Sequence, residues 1–478
     1  MIRMTVQEMV DATGATLVAG NAQTVFCGVC IDSRIATDGA AFVAFKGERV
    51  DGNRFVVPAL EGGASVVVVT AEPTSEALEA AQRSGGALVR AAADDGEEFM
   101  LALAKAWRKK NPQWTVVGVT GSVGKTTTKE MLAAGIGAQR RVHATSGNFN
   151  NLLGVPLTLF AADPADEVLV VEMGMNNAGE LARIAAAARP DVAVITNVGT
   201  SHIGNLGSRE GIARAKAEVV SGMRGTAEVG PTLVLTDGDD YADFIEHTFC
   251  ESAGVRVARV GAAQGIVYAS AVTLDDDGLP SVEVTYADGE SLTGTLSLPG
   301  RAMVSDLLSA LGAIDELHLS REEALRAICG MKAAHMRLEI RQEGESARVI
   351  DDSYNASPSS MAAALDVLCS MRCEGRRIAV LGEIGELGEE AARLHGLVGA
   401  YAAAKPLDML VLIGQGDART MADAATTMGF SEDHLERFDT VGDAVRVIGP
   451  LLRKDDLVLV KASRAAGLDQ FAKEVLGA

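Results

Sequence analysis

The chain has 478 residues, 48% of them hydrophobic and 4% aromatic, with a formal net charge of −21. That length exceeds one ordinary core and allows two to four domains. The acidic balance argues against nucleic acid as the main partner, because phosphate backbones need stripes of Lys and Arg, so any anionic substrate must be met by local cations, helix N-termini or metal ions.

The opening stretch "MIRMTVQEMVDATGA" places Glu8 and Asp11 where a signal peptide would be apolar. No continuous apolar run reaches the roughly 18 residues of a membrane span, so the expectation is a cytoplasmic protein without one. Short strands and turns follow to about residue 112, among them "AAFVAFKGERVDGNRF" and "GGASVVVVT". Cys27 and Cys30 form a C-x-x-C in the apolar segment "VFCGVCID". No second ligand pair stands at zinc spacing, so these and Cys250, Cys329, Cys369 and Cys373 are read as reduced, buried cysteines. A helix is predicted over 97–109. It runs into Asn111-Pro112, a plausible domain boundary.

From Gln113 the pattern changes. "TVVGVT", "EVLVVEM" and "DVAVITN" are apolar runs of strand length separated by helical stretches. Such alternation predicts a parallel sheet with right-handed crossovers. Residues 255–298 read as antiparallel hairpins, and a helix is predicted over 304–318. After Lys332, "RVIDDSYN", "RRIAVLG", "LDMLVLIG" and "DDLVLVKAS" predict a second small α/β sheet.

The segment "VVGVTGSVGKTTTKEM" joins a β-branched strand, a glycine-punctuated turn and a helix. It misses the usual G-x-x-x-x-G-K-[ST] spacing by one place, because position 119 is Val119 and the glycine is Gly118. The physics survives the shift. Backbone N–H groups of Gly121, Ser122, Val123 and Gly124 can face phosphate oxygens at a helix N-terminus. Lys125 can reach the β- and γ-phosphates, and Thr126, followed by Thr127, can ligate Mg²⁺. Glu172 ends an apolar strand at the edge where open α/β sheets place ligands, and a carboxylate near Thr126 suits Mg²⁺. Read by themselves, Asn150 and Asn151 are turn formers, Lys216 is a solvated helix lysine, and Asp351 and Asp352 form an ordinary turn signal.

"GVTGSVGKTTTKEM" closely resembles the phosphate loop of the Mur ligases. "TSGNFNNLLGVP", "VVEMGMNNAGEL" and "ITNVGTSHIGNLGSREGIARAKAE" resemble further segments of that family. "IDDSYNASPSSMAAAL" resembles the branch that adds D-alanyl-D-alanine, and "LGEIGELG" and "VKASR" match its C-terminal landmarks. The resemblance covers nearly the whole chain. It implies an α/β fold of three domains: a small N-terminal substrate domain over 1–112, a central P-loop parallel-sheet ATPase domain over 113–331, and a C-terminal Rossmann-like domain over 332–478.

The implied activity is ATP-dependent ligation of D-alanyl-D-alanine to UDP-N-acetylmuramoyl-tripeptide through an acyl phosphate, in cytoplasmic peptidoglycan precursor synthesis. The implied cofactors are ATP and two Mg²⁺ ions, and a monomer is expected. The resemblance implies Lys125, Lys216, His202 and Asn151 as catalytic residues. His202, Glu172, Thr126 and a carbamylated Lys216 would hold metal. Arg337 and Asp352 would meet the ATP ribose and phosphates when the C-terminal domain closes. Ser33, Arg34 and Asn355 would contact substrate, with "FKGERVDGNRF" part of the sugar-nucleotide pocket. Ala302, Met303 and Asp306 depart from the family's histidine and two asparagines near the adenine ring. The competing readings are a ligase of this scaffold that adds a single amino acid, which "DDSYNASP" argues against, and an inactive nucleotide-binding relative.

Overall fold

The computed structural model describes residues 1–36, 39–47, 50–226, 229–261 and 265–477. Glu48 and Arg49 of the "FKGERVDGNRF" segment lie outside the described residues. Among the described residues no helix is long and apolar enough to cross a membrane.

The first sheet has five strands, ordered Thr16–Ala19, Ala87–Arg90, Val66–Val69, Ala41–Val43 and Val29–Cys30. All pairs are parallel except that of Thr16–Ala19 with Ala87–Arg90. "VFCGVCID" is not one strand. It breaks at Gly28 (φ 83°) into Val25–Cys27, paired with Arg3–Thr5, and Val29–Cys30 in the five-stranded sheet. The split leaves Cys27 exposed while Cys30 is buried, which corrects the expectation of uniformly buried cysteines. Cys329, Cys369 and Cys373 are half-buried, and Cys250 is buried.

The helix expected over 97–109 spans Gly96–Lys110, started by Asp95, whose carboxylate accepts from Glu97 N and Glu98 N. Its last turn is welded to the next sheet. Arg108 and Asp191 are fully buried, with Arg108 Nη2 3.0 Å from Asp191 Oδ2. Arg108 also donates to Asn111 O (2.9 Å) and Ala188 O (3.2 Å), and Asp191 accepts from Val116 N (2.8 Å) and Arg224 Nε (3.2 Å).

The central sheet has nine strands. Thr115–Thr120 lies inside it, flanked by Val168–Glu172 and Val192–Ile195, all parallel. The continuous Val, Ile and Leu runs reflect burial on both faces. One apolar layer contains Leu169, Val171, Ala193 and Ile195. The other contains Val117, Val119, Val170 and Val194, packed with helices Lys125–Gly137 and Ala302–Glu316. The 255–298 region is only partly antiparallel. Arg256–Val260 runs parallel to Thr232–Thr236 and extends the main sheet. The hairpins begin at Val267–Leu274 and continue through Pro280–Tyr286 and Ser291–Thr295.

The third sheet has six strands in the order Glu339–Arg341, Arg348–Asp352, Leu457–Lys461, Arg377–Gly382, Met409–Ile413 and Leu435–Phe438. It is parallel except for its first pair. Its loops after Arg348–Asp352, Arg377–Gly382 and Leu457–Lys461 face the central sheet across a seam. There Gly204 N donates to Glu386 O (3.2 Å), and a side chain on Gly204 would stand 2.7 Å from Gly388 N.

Candidate active site

Strand Thr115–Thr120 ends at the phosphate-type turn, and helix Lys125–Gly137 starts after Gly124, whose φ of 87° suits glycine. Asn197, just past strand Val192–Ile195, holds the turn. Its carbonyl accepts from Ser122 N (3.0 Å), its Oδ1 accepts from Val123 N (3.1 Å), and its Nδ2 donates to Val123 O (2.9 Å). Lys125 folds back to donate to Gly121 O (2.8 Å) and Ser122 O (3.4 Å). Burial lowers its pKa, with Glu172 opposing.

Glu172 is 2% exposed at the end of strand Val168–Glu172. Thr126 Oγ1 donates to its Oε2 (2.9 Å), and Asn150 Nδ2 to its Oε1 (2.8 Å). This group of hard oxygen donors at a phosphate loop fits Mg²⁺, which takes one or two protein oxygens beside phosphate and water. Asn151, in contrast, uses Oδ1 to accept from Leu153 N (3.2 Å) and Gly154 N (2.8 Å), at the start of helix Gly154–Ala161. Both asparagines line the cavity.

His202 has φ 64°, in the left-handed region that non-glycine residues rarely adopt. Its Nδ1 stands 2.5 Å from Glu386 Oε2, so the two side chains meet across the seam. Glu386 also has a positive φ of 63°, and contact with His202, against the opposing effect of burial, holds its carboxyl below the ordinary range.

Lys216 lies in helix Arg209–Ala217. It is 1% exposed, so it is not a solvated helix lysine. It has no hydrogen-bond or ion-pair partner among the described residues. Burial, then the charge of Lys125, pushes its pKa well below the ordinary value. It stands behind the cavity wall rather than in it. No group of three His, Cys, Asp or Glu side chains placed to hold a metal occurs among the described residues.

A cavity of about 940 Å³ joins these groups to the third sheet. Residues 122–127, Glu172 and His202 line one side, and Arg337, Asp352 and Asn355 line the other. Arg337 stacks 4.3 Å over the Tyr354 ring, and Arg464 lies 5.9 Å from the same ring. Asp352 accepts from Leu338 N (3.2 Å) and Lys461 Nζ (2.5 Å). Lys461, 2% exposed, also donates to Asn355 O (3.0 Å). Neighbouring Asp351 points into the fold and accepts from Ser353, and burial raises its pKa.

Ser33 and Arg34 do not join this cavity. They lie in the short helix Ser33–Ile35, where exposed Arg34 pairs with Asp32 at 2.6 Å. Sequence reasoning missed Glu386, Asn150 as the partner of Glu172, and Lys461. The last had a signal, since Lys461 ends an apolar strand in register with Asp352.

A phosphate loop, an adjoining acid and a second α/β unit closed over both define an ATP-dependent ligase architecture. Family models match along the chain: the "Mur ligase family, catalytic domain" at residues 26–108, the "Mur ligase middle domain" at 119–314 and the "Mur ligase, glutamate ligase domain" at 336–464. The chain belongs to the Mur ligase family. It is 34% identical to the UDP-N-acetylmuramoyl-tripeptide--D-alanyl-D-alanine ligase of Bacillus subtilis (strain 168), covering 100% of this chain and 99% of that one. It is 30% identical to the protein of the same name from Escherichia coli (strain K12), covering 99% and 98%. A crystal structure of MurF from Acinetobacter baumannii superposes with a TM-score of 0.87 at 29% identity over 100% of both chains. MurF ligase from Thermotoga maritima in complex with ADP gives 0.78 at 25% identity, over 94% of this chain and 97% of that one.

Proposed function

We propose that this chain uses ATP to join D-alanyl-D-alanine to UDP-N-acetylmuramoyl-tripeptide in peptidoglycan precursor synthesis. The observation that carries the reading is one cavity lined by Lys125, Thr126 and Glu172 from the central sheet and by Arg337, Asp352 and Asn355 from the C-terminal one. The full-length likeness to ligases of that name supports the substrates, and the ADP complex of the Thermotoga protein supports an adenine nucleotide here. Labour divides as residues 1–112 for the sugar nucleotide, with Ser33 and Arg34 as contacts, 113–331 for ATP, and 332–478 for closure. The chain acts as a cytoplasmic monomer in this reading.

The tripeptide carboxylate attacks the γ-phosphorus of ATP, ADP departs, and an acyl phosphate forms. The dipeptide amine then attacks the acyl carbon, and the tetrahedral adduct loses inorganic phosphate and a proton. The protein contributes positioning and electrostatics. Lys125 leaves the carbonyls of Gly121 and Ser122 for the β- and γ-phosphates. Arg337 and Asp352 orient the nucleotide from the closing side, Asn355 borders the dipeptide, and Asn151 Nδ2 faces the reacting acyl group. Thr126 and Glu172 would hold Mg²⁺, which when bound offsets phosphate charge. A second ion would draw on His202 and Lys216. Burial lowers the proton affinity of the Lys216 amine, which suits addition to CO₂ with loss of a proton to give an anionic carbamate. Closure keeps water from the acyl phosphate.

The test is phosphate release with UDP-N-acetylmuramoyl-tripeptide and D-alanyl-D-alanine, run beside single amino acids. Release that needs both the tripeptide and the dipeptide is expected. Equal release with a single amino acid would instead assign the chain to that other ligase class.

A further inference from the structure

Asp306 lies near the start of helix Ala302–Glu316, lines the cavity and is 7% exposed. Its carboxyl packs on the phosphate loop itself, where a side chain added to Gly124 would collide with Asp306 Oδ1. It receives one long hydrogen bond, from Thr128 Oγ1 at 3.4 Å, and has no ion-pair partner among the described residues. A buried carboxyl with so little compensation, set against a loop built for anions, calls for an explanation.

We propose that Asp306 is a positioning residue that makes nucleotide binding pH-dependent, bracing the phosphate loop as a neutral acid and opposing the triphosphate as a carboxylate. This rests on the reading that the loop binds a nucleoside triphosphate. In the neutral form the hydroxyl can donate a hydrogen bond, as a side-chain amide would. In the ionised form a negative charge stands against Gly124, in a site of low effective dielectric, facing several phosphate charges.

The surroundings set where the change falls. Burial pushes the Asp306 pKa up to about 7. Thr128, then the field of Arg337 across the cavity, oppose that rise without cancelling it. The other cations nearby are engaged elsewhere: Lys125 on Gly121 O, and Lys129 on Thr145 O and Glu130. Behind the helix, Val194 and Val234 from the parallel strands, Val267, Val282, Val284 and Tyr286 from the hairpins, and Ala324 and Ile328 from helix Arg321–Cys329 complete the packing. A bound triphosphate raises the cost of ionisation further, so binding above that pH takes up a proton.

The experiment is calorimetric titration of the full chain with Mg²⁺–ATP, without the other substrates, from about pH 6 to pH 8.5 in two buffers of different ionisation heat. The wild type should weaken by up to about tenfold per pH unit above pH 7, taking up close to one proton per nucleotide, and Asp306→Asn should flatten the profile. Matching profiles in the two proteins, or no proton uptake by the wild type, would overturn the inference. The uptake measurement needs no variant, so it decides the matter even if Asp306→Asn folds poorly. Absence of nucleotide binding at every pH in both proteins would overturn the ATP reading itself.

Discussion

Two buried charged regions treat their charges in opposite ways. At the junction of the Gly96–Lys110 helix and the central sheet, Arg108 and Asp191 are both fully buried and every near neighbour serves them. At the cavity, Lys216 behind the wall is equally buried with no hydrogen-bond or ion-pair partner among the described residues, and Lys125 in the wall is held by two carbonyls. A satisfied buried pair contributes little net stability but costs much when half of it is removed. An unsatisfied buried cation weakens the fold and is retained where chemistry needs it. The first region ties the helix to the sheet, and the second is where the proposed chemistry needs its cations.

The largest effect should come from Lys125→Ala, which on the proposed chemistry lowers phosphate release by roughly a thousandfold while the thermal midpoint stays put. Normal release would remove the loop assignment. At the junction the pattern should reverse. Asp191→Ala leaves Arg108 buried without a counter-charge and half-buried Arg224 without its carboxylate partner, and should cost about 3–5 kcal/mol in urea unfolding, with turnover kept in the folded fraction. A cost below about 1 kcal/mol would show that the weld is made elsewhere.

Lys216→Ala should lose turnover yet match or exceed the wild type in stability, and short carboxylates should partly restore activity. Full activity without them would end the carbamate reading. The smallest effect concerns Asp306. A carboxyl whose folded pKa is raised to about 7 contributes stability that is fully present below its unfolded value and is lost as pH rises towards 7. Asp306→Asn should therefore gain relative to the wild type as pH rises from about 4 to about 7, by a few kcal/mol at most. An unchanged difference in urea midpoints across that range would place the titration elsewhere.

The sheets were legible because each buried strand announces itself as a short apolar run, as in "TVVGVT" and "LDMLVLIG". The meeting of Lys125, Thr126 and Glu172 in one cavity was legible because it follows from position at the ends of adjacent strands and the start of a helix. Contacts across the seam were not. Nothing local ties His202 to Glu386, whose meeting depends on how two sheets dock. Periodicity could not separate the parallel strand Arg256–Val260 from the hairpins after it, because both bury alternate residues. Asn150 and Asn151 are neighbours of one type, and only the backbone decides which faces Glu172.

The seam between the second and third sheets closes on two residues without side chains. Gly204 and Gly388 meet backbone to backbone, and a methyl group on Gly388 would stand 2.8 Å from Gly204 Cα. The gap is thus gauged by hydrogen atoms, and His202 and Glu386 are brought into reach by the absence of bulk beside them. One added carbon at either glycine would act as a wedge, propping the catalytic halves apart while leaving every reactive group intact.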